Sequence, residues 1–314
     1  MNVIRIGTRG SALALAQAGQ VARALAERDP GAGVEIVKIR TSGDRLAAVP
    51  LHEIGAKGVF IKEIEEELLR GRIDIAVHSL KDLPCEQAAG LAIGAYLRRE
   101  DPGDVLVSGR YASLKEVPDG SSVGTGSRRR ESQLRSVRPG LSVAPLRGNV
   151  ETRIGKAGDG SLDAVVIAAA GARRLGLTGM IREYLPPEFF TPAPGQGIIA
   201  AQIRSGDERA ASALKPANDP VSEVCYAVER GFLRETGGGC FLPVGALCVP
   251  SGGGFALYGY IGSVDGVRAF RGKLDLSEPD PARGRELARR LLDAGGREVL
   301  LEIARAKSGD NQHP

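Results

Sequence analysis

An alternation of strand and helix patterns over the first hundred residues constrains the fold of this chain most. Val3–Ile6 reads as a strand. Ser11 reads as the N-cap of a helix running to about Arg28, with Leu15, Ala18, Val21, Ala22 and Leu25 on one face. Asp29-Pro30-Gly31 stops it, Val34–Ile39 alternates as a second strand, and Val59–Arg70 reads as a helix with Phe60, Ile64 and Leu68 inward. Ile73–Val77 is a buried strand. Strand–helix–strand order predicts a mostly parallel sheet covered by helices.

The pattern restarts after a linker, Arg98-Arg99-Glu100-Asp101-Pro102-Gly103. Strands are expected at Asp104–Val107, Ser122–Gly124, Leu141–Pro145 and Asp163–Ala168, with Arg128-Arg129-Arg130 in the first turn of an intervening helix. A proline-rich passage ends in Pro194-Gly195-Gln196-Gly197 and is followed by a lone strand, Ile198–Arg204. The last third reads as a helix at about Val221–Glu235, three antiparallel strands near Val244–Val249, Phe255–Ile261 and Val267–Asp275, and a helix at about Ala282–Ala294. At 314 residues the chain accommodates two or three such units.

Composition narrows the function classes. Four scattered cysteines without CxxC spacing and three histidines argue against a zinc site, and a reduced, cytoplasmic compartment fits them best. The start reads as a strand rather than an export signal, and no apolar run approaches the ~20 residues of a membrane helix. The net charge is +4, and arginine far outnumbers lysine among the 42 basic residues. The guanidinium fork grips carboxylates and phosphates with paired hydrogen bonds. Without aromatic residues among the arginines, base stacking on nucleic acid has little support.

The basic residues recur where strands end. Thr8-Arg9-Gly10-Ser11 closes the first strand and opens the first helix, where backbone N–H groups favour an anion. Gly124-Thr125-Gly126-Ser127-Arg128-Arg129-Arg130 repeats the device, although cations near a positive dipole end are locally unfavourable. Arg147 and Arg153 follow another strand, and Arg173-Arg174 another. One basic strand end is noise; several in consecutive units predict an arginine-lined cleft for a polycarboxylate. His78-Ser79-Leu80-Lys81-Asp82-Leu83-Pro84 ends the Ile73–Val77 strand, at the carboxyl edge where open α/β sheets bind ligands. Alone, such a motif is more often a solvated Lys-Asp turn.

Gly237-Gly238-Gly239-Cys240 places one cysteine behind three glycines, which leaves its sulfur accessible on a tight loop. A lone cysteine beside a turn is more often a buried core residue. Here the surrounding motifs reverse that reading.

These segments, in this order, resemble the porphobilinogen deaminase (hydroxymethylbilane synthase) family over nearly the whole length. The pieces are Thr8-Arg9-Gly10-Ser11, Lys57-Gly58-Val59-Phe60, Val77–Pro84, Arg99-Glu100-Asp101-Pro102, Val123-Gly124-Thr125 with Arg129-Arg130, Leu146–Val150, Pro194–Gly197 and Gly238-Gly239-Cys240. The resemblance implies an α/β protein of three domains. Two resemble type II periplasmic binding protein domains joined by hinges: residues 1–98 with 198–216, and 103–192. The third, 220–314, is a smaller α+β domain with an antiparallel sheet.

The family joins four porphobilinogen molecules head to tail on a covalent dipyrromethane, releasing ammonia, and then frees hydroxymethylbilane by hydrolysis. The resemblance implies Asp82 as the catalytic carboxylate and Cys240 as the thioether anchor of the dipyrromethane. Lys81, Thr125, Ser127, Arg129, Arg130 and Arg153 are implied for cofactor binding, and Arg9, Ser11, Arg147, Arg174 and Gln196 for substrate. It implies no metal, a cytoplasmic monomer, and hand-over of product to uroporphyrinogen III synthase. Departures from the common pattern are Gly126 for a frequent serine, Arg128 for an apolar residue, Ala56 for a frequent glycine, and Glu53 at a sometimes basic position. Two rival classes explain less. An exported substrate-binding protein has no use for Cys240, and a nucleic-acid binder has none for Asp82.

Overall fold

A computed structural model of the chain describes residues 3–28, 33–42, 61–238 and 242–309. Lys57–Phe60, Glu53, Ala56 and Cys240 lie outside the described residues.

The first unit contains β1 (Ile4–Arg9), α1 (Ala12–Arg28), β2 (Val34–Ile39), α2 (Lys62–Leu69), β3 (Ile75–Ser79) and β4 (Leu91–Tyr96). The second contains β5 (Asp104–Val107), β6 (Ser122–Thr125), α3 (Arg128–Val137), β7 (Ser142–Pro145), α4 (Val150–Gly158), β8 (Ala164–Ala168), α5 (Ala169–Arg174) and β9 (Ile181–Leu185). The chain then forms β10 (Ile199–Arg204) and α6 (Glu208–Leu214). The last unit comprises α7 (Pro220–Glu235), β11 (Val244–Ser251), β12 (Gly254–Gly262), β13 (Ala269–Leu276), α8 (Pro281–Leu291) and α9 (Arg297–Gly309).

The first sheet has the order β2-β1-β3-β10-β4 and the second β7-β6-β8-β5-β9. These are one topology used twice. In each, the fourth position is held by the strand that enters directly from the other unit, and that strand runs antiparallel to its neighbours. Both sheets are therefore mixed, where the alternation of patterns predicted mostly parallel ones. The crossing strand arrives without a helical crossover and so pairs in the opposite sense. The third sheet, β11-β12-β13, is antiparallel, with α7 and α8 packed on one face.

The cores follow the sequence periodicity. Ala18, Val21 and Leu25 of α1 pack on Ile4, Ile6, Ile75 and Val77. Ser11 accepts the Ala14 N–H at 3.3 Å and so caps α1, a contact worth about 1 kcal/mol. Elements with weaker patterns, β4, β9, α6 and α9, were not expected from the sequence.

The two crossing segments lie side by side between the units. Glu100 N donates to Gly197 O, and a Cβ at Gly197 would stand 2.3 Å from Glu100 O, so this position with φ +91° needs glycine. The third unit grips both segments through one acid. Buried Glu229 of α7 pairs with Arg99 at 2.6 Å and accepts from Gly195 N at 2.7 Å and from Cys248 N at 2.8 Å. Among the described residues, no helix is long and apolar enough to cross a membrane.

Candidate active site

Five strand ends, those of β1, β3, β6, β7 and β8, and one crossing segment supply the candidate residues. β3 runs into a 3₁₀ turn, Leu80–Asp82, whose buried Leu80 anchors it and leaves Asp82 exposed. Lys81 beside it reaches Gln196 Oε1 at 3.4 Å. Burial, reinforced by Arg130, lowers the Lys81 pKa to about 8 against the opposing pull of Asp82 and Asp104. Lys81 thus senses charges from both α/β units. Arg9 stands half-buried at the end of β1.

The second unit supplies the arginines. Ser127 caps α3 by accepting the Arg130 N–H, and the Ser127 N–H in turn donates to Thr125 Oγ1 at 3.2 Å. This turn fixes where Arg129 and Arg130 start. A Cβ at Gly126 would stand 2.4 Å from Leu146 O, so a serine cannot replace it without moving this backbone. Arg129 and Arg130 are each 4% exposed, and both point at Asp104. Arg129 Nη1 meets Asp104 at 2.6 Å, and Arg130 meets it through Nε at 3.0 Å and Nη2 at 2.8 Å. Burial pushes the Asp104 pKa up, but the two guanidiniums outweigh it and hold the carboxyl well below the usual range.

The remaining arginines are answered differently. Among the described residues the Arg153 side chain bonds a carbonyl, Gly148 O, at 2.8 Å. Burial, reinforced by Arg130 and Arg147, lowers its pKa to about 10 against the opposing pull of Asp82. Asp82, Arg130 and Arg147 therefore all lie within electrostatic reach of Arg153. Arg174 donates to Gly197 O at 2.6 Å, and burial lowers its pKa to about 10. Arg147 Nη2 and Arg174 Nε are buried and meet no acceptor among the described residues. A buried guanidinium N–H without a partner is costly, and a carboxylate would satisfy it. These donors suit a pyrrole chain bearing acetate and propionate groups.

Cys240 lies outside the described residues, but the root of its loop does not. An ideal Cβ on Gly238 would stand 3.9 Å from the sulfur of Cys85, three residues past Asp82. The cysteine loop is thus rooted beside the Asp82 turn.

A family model described as "Porphobilinogen deaminase, dipyromethane cofactor binding domain" matches residues 4–212, and one described as "Porphobilinogen deaminase, C-terminal domain" matches residues 224–293. The chain belongs to the porphobilinogen deaminase family. The porphobilinogen deaminase of Syntrophomonas wolfei is 48% identical over 303 residues, covering 96% of this chain and 99% of that one. That of Syntrophus aciditrophicus is 48% identical over 300 residues, covering 95% and 98%. Among solved structures, the methionine-binding protein MetQ aligns with a TM-score of 0.44 at 15% identity, over 68% of this chain and 87% of that one. That likeness is too distant to add to the argument. Family membership makes the chain a transferase of tetrapyrrole biosynthesis with a dipyrromethane cofactor.

Two residues escaped the sequence reading, Asp104 and Glu229. Each left a signal. Asp104 heads the otherwise apolar strand Asp-Val-Leu-Val, and Glu229 falls on the helical stripe of Cys225, Val228 and Phe232. A charge on a buried face implies a buried counter-charge.

Proposed function

We propose that this chain joins four porphobilinogen molecules head to tail with release of ammonia, and then frees the linear tetrapyrrole hydroxymethylbilane by hydrolysis. The observation that carries the reading is the pair of buried donors that meet no acceptor among the described residues, Arg147 Nη2 and Arg174 Nε, with Arg147 and the exposed Asp82 both within electrostatic reach of Arg153. When bound, the dipyrromethane supplies the pyrrole carbon from which the chain grows, held through the Cys240 sulfur. Loss of ammonia from porphobilinogen leaves a cationic azafulvene. Asp82 stabilises that charge and holds the pyrrole N–H groups. Arg129, Arg130 and Arg153, with Lys81, Thr125 and Ser127, hold the first two rings. Arg9, Ser11, Arg147 and Arg174 hold carboxylates of incoming and later rings, and Gln196 sits where the units hinge. Residues 1–98 with 198–216, 103–192, and 220–314 move as three bodies about the crossings. The enzyme acts as a cytoplasmic monomer, and its product passes to uroporphyrinogen III synthase.

Ehrlich's reagent on the purified protein tests this reading. Colour in the wild type and none in Cys240→Ser, with porphobilinogen consumed only by the former, is expected. A colourless wild type that leaves porphobilinogen untouched refutes it.

A further inference from the structure

Asp104 is the first residue after the first crossing, and its side chain is fully buried. Its carboxylate accepts from Arg129 Nη1 at 2.6 Å, Arg130 Nε at 3.0 Å, Arg130 Nη2 at 2.8 Å and Gln196 Nε2 at 2.8 Å. A carboxylate offers about four acceptor positions, and this one takes four donors, three on Oδ1 and one on Oδ2. The donors come from the first turn of α3 and from the second crossing. One side chain therefore joins both crossings to the arginine helix.

Two consequences follow from the charges and the geometry. Two adjacent buried guanidiniums at a helix N-terminus repel each other and the dipole. Asp104 reduces their combined charge from two to one, which allows both to stay in the cleft wall. It also takes up specific edges. Arg129 spends Nη1 on Asp104 and on Thr191 O at 2.7 Å, while Arg130 spends Nε and Nη2. The plane of each guanidinium is thereby fixed, and with it the direction of the remaining N–H groups. Gln196 extends the connection, because its Oε1 lies 3.4 Å from both Arg130 Nη2 and Lys81 Nζ, one residue from Asp82.

We propose that Asp104 is a positioning residue for chain growth, aiming the Arg129–Arg130 pair and holding the Asp82 edge in register with it through Gln196. The proposal rests on the reading that those arginines hold the pyrrole chain.

The test is Asp104→Asn, nearly isosteric but uncharged, measured per molecule of bound dipyrromethane as counted by Ehrlich's colour. A kcat lower by about 100-fold with a smaller change in KM is expected, because misplacement by about 1 Å costs that much. Limited porphobilinogen should also leave a different distribution of partly grown chains by intact mass. A merely structural role would lower Tm and the yield while leaving per-site turnover and the distribution unchanged, and that result overturns the proposal. Gln196→Met covers the case in which Asp104→Asn does not fold. It cuts the link to Lys81 but keeps the ion pairs, and about a tenfold loss of kcat at full cofactor content is expected. Wild-type kcat in that variant also overturns the proposal. A wild type without Ehrlich's colour or turnover would mark failure of the underlying reading instead.

Discussion

The two α/β units carry one strand order, β2-β1-β3-β10-β4 and β7-β6-β8-β5-β9, yet line their shared cleft with different side chains. The first presents an exposed carboxylate, Asp82, on a turn anchored by Leu80 and the following Leu83. The second presents arginines, two of them already answered by Asp104 and others with N–H groups that meet no acceptor among the described residues. The same topology thus serves two purposes. In the proposed function one wall reacts and the other holds, and the backbone fixes only where each set of side chains stands. The Arg129–Arg130 pair is answered by an internal carboxylate, whereas Arg147 and Arg174 each keep a buried N–H that meets no acceptor among the described residues.

The largest effect expected from breaking this division is in Asp82→Asn. Removing a charge that acts on the transition state should lower kcat by about three orders of magnitude with little change in KM. A stopped assay with varied porphobilinogen measures both. If KM rises instead while kcat holds, Asp82 belongs to the holding wall. Arg147→Leu and Arg174→Leu come next. Each should cost about 2 kcal/mol at the stage that uses it, ~30-fold in that step, and leave earlier steps intact. Uniform slowing of every step would mean that these arginines supply only a general positive field.

A smaller effect concerns Lys81, which sits between the walls. Its pKa of about 8 means that it is charged below pH 8 and loses its charge as pH rises through that value. Carboxylate binding needs the charged form, so KM should rise by up to about tenfold from pH 8 to pH 9. Lys81→Arg should flatten that rise, because a guanidinium stays charged. An unchanged slope in that variant would assign the titration to another group.

The smallest effect touches stability alone. Buried His78 lies on β3 behind the Asp82 turn, and burial lowers its pKa to about 4, against a weaker opposing contact with Gln202. The unfolded chain, with an ordinary histidine pKa near 6.5, binds the proton more readily between these values. Stability should therefore fall as pH drops from about 6.5 to about 4 and be unaffected by this group above that window. His78→Asn should flatten the Tm profile there without changing kcat at pH 8.

Much of this was legible in the sequence because periodicity and local motifs act over short distances. The α1 stripe, the crossing at Pro194–Gly197 and the arginine-bearing start of α3 follow from such patterns. The antiparallel entry of β5 and β10 was not legible, since strand direction depends on where the chain has come from. Nor was the split among the arginines. Arg129 and Arg147 look alike in sequence, and only the position of Asp104, 25 residues from Arg129, separates them. Asp104 itself reads as an ordinary strand start until its burial is known.

Intact-mass measurement of Asp82→Asn and Arg147→Leu, each supplied with limited porphobilinogen, tests the division between reacting and holding walls most directly. The account predicts that Asp82→Asn takes up almost no pyrrole units. Arg147→Leu should take up some and then stop at a defined number. Identical distributions in the two variants, or normal growth in Asp82→Asn, would contradict it.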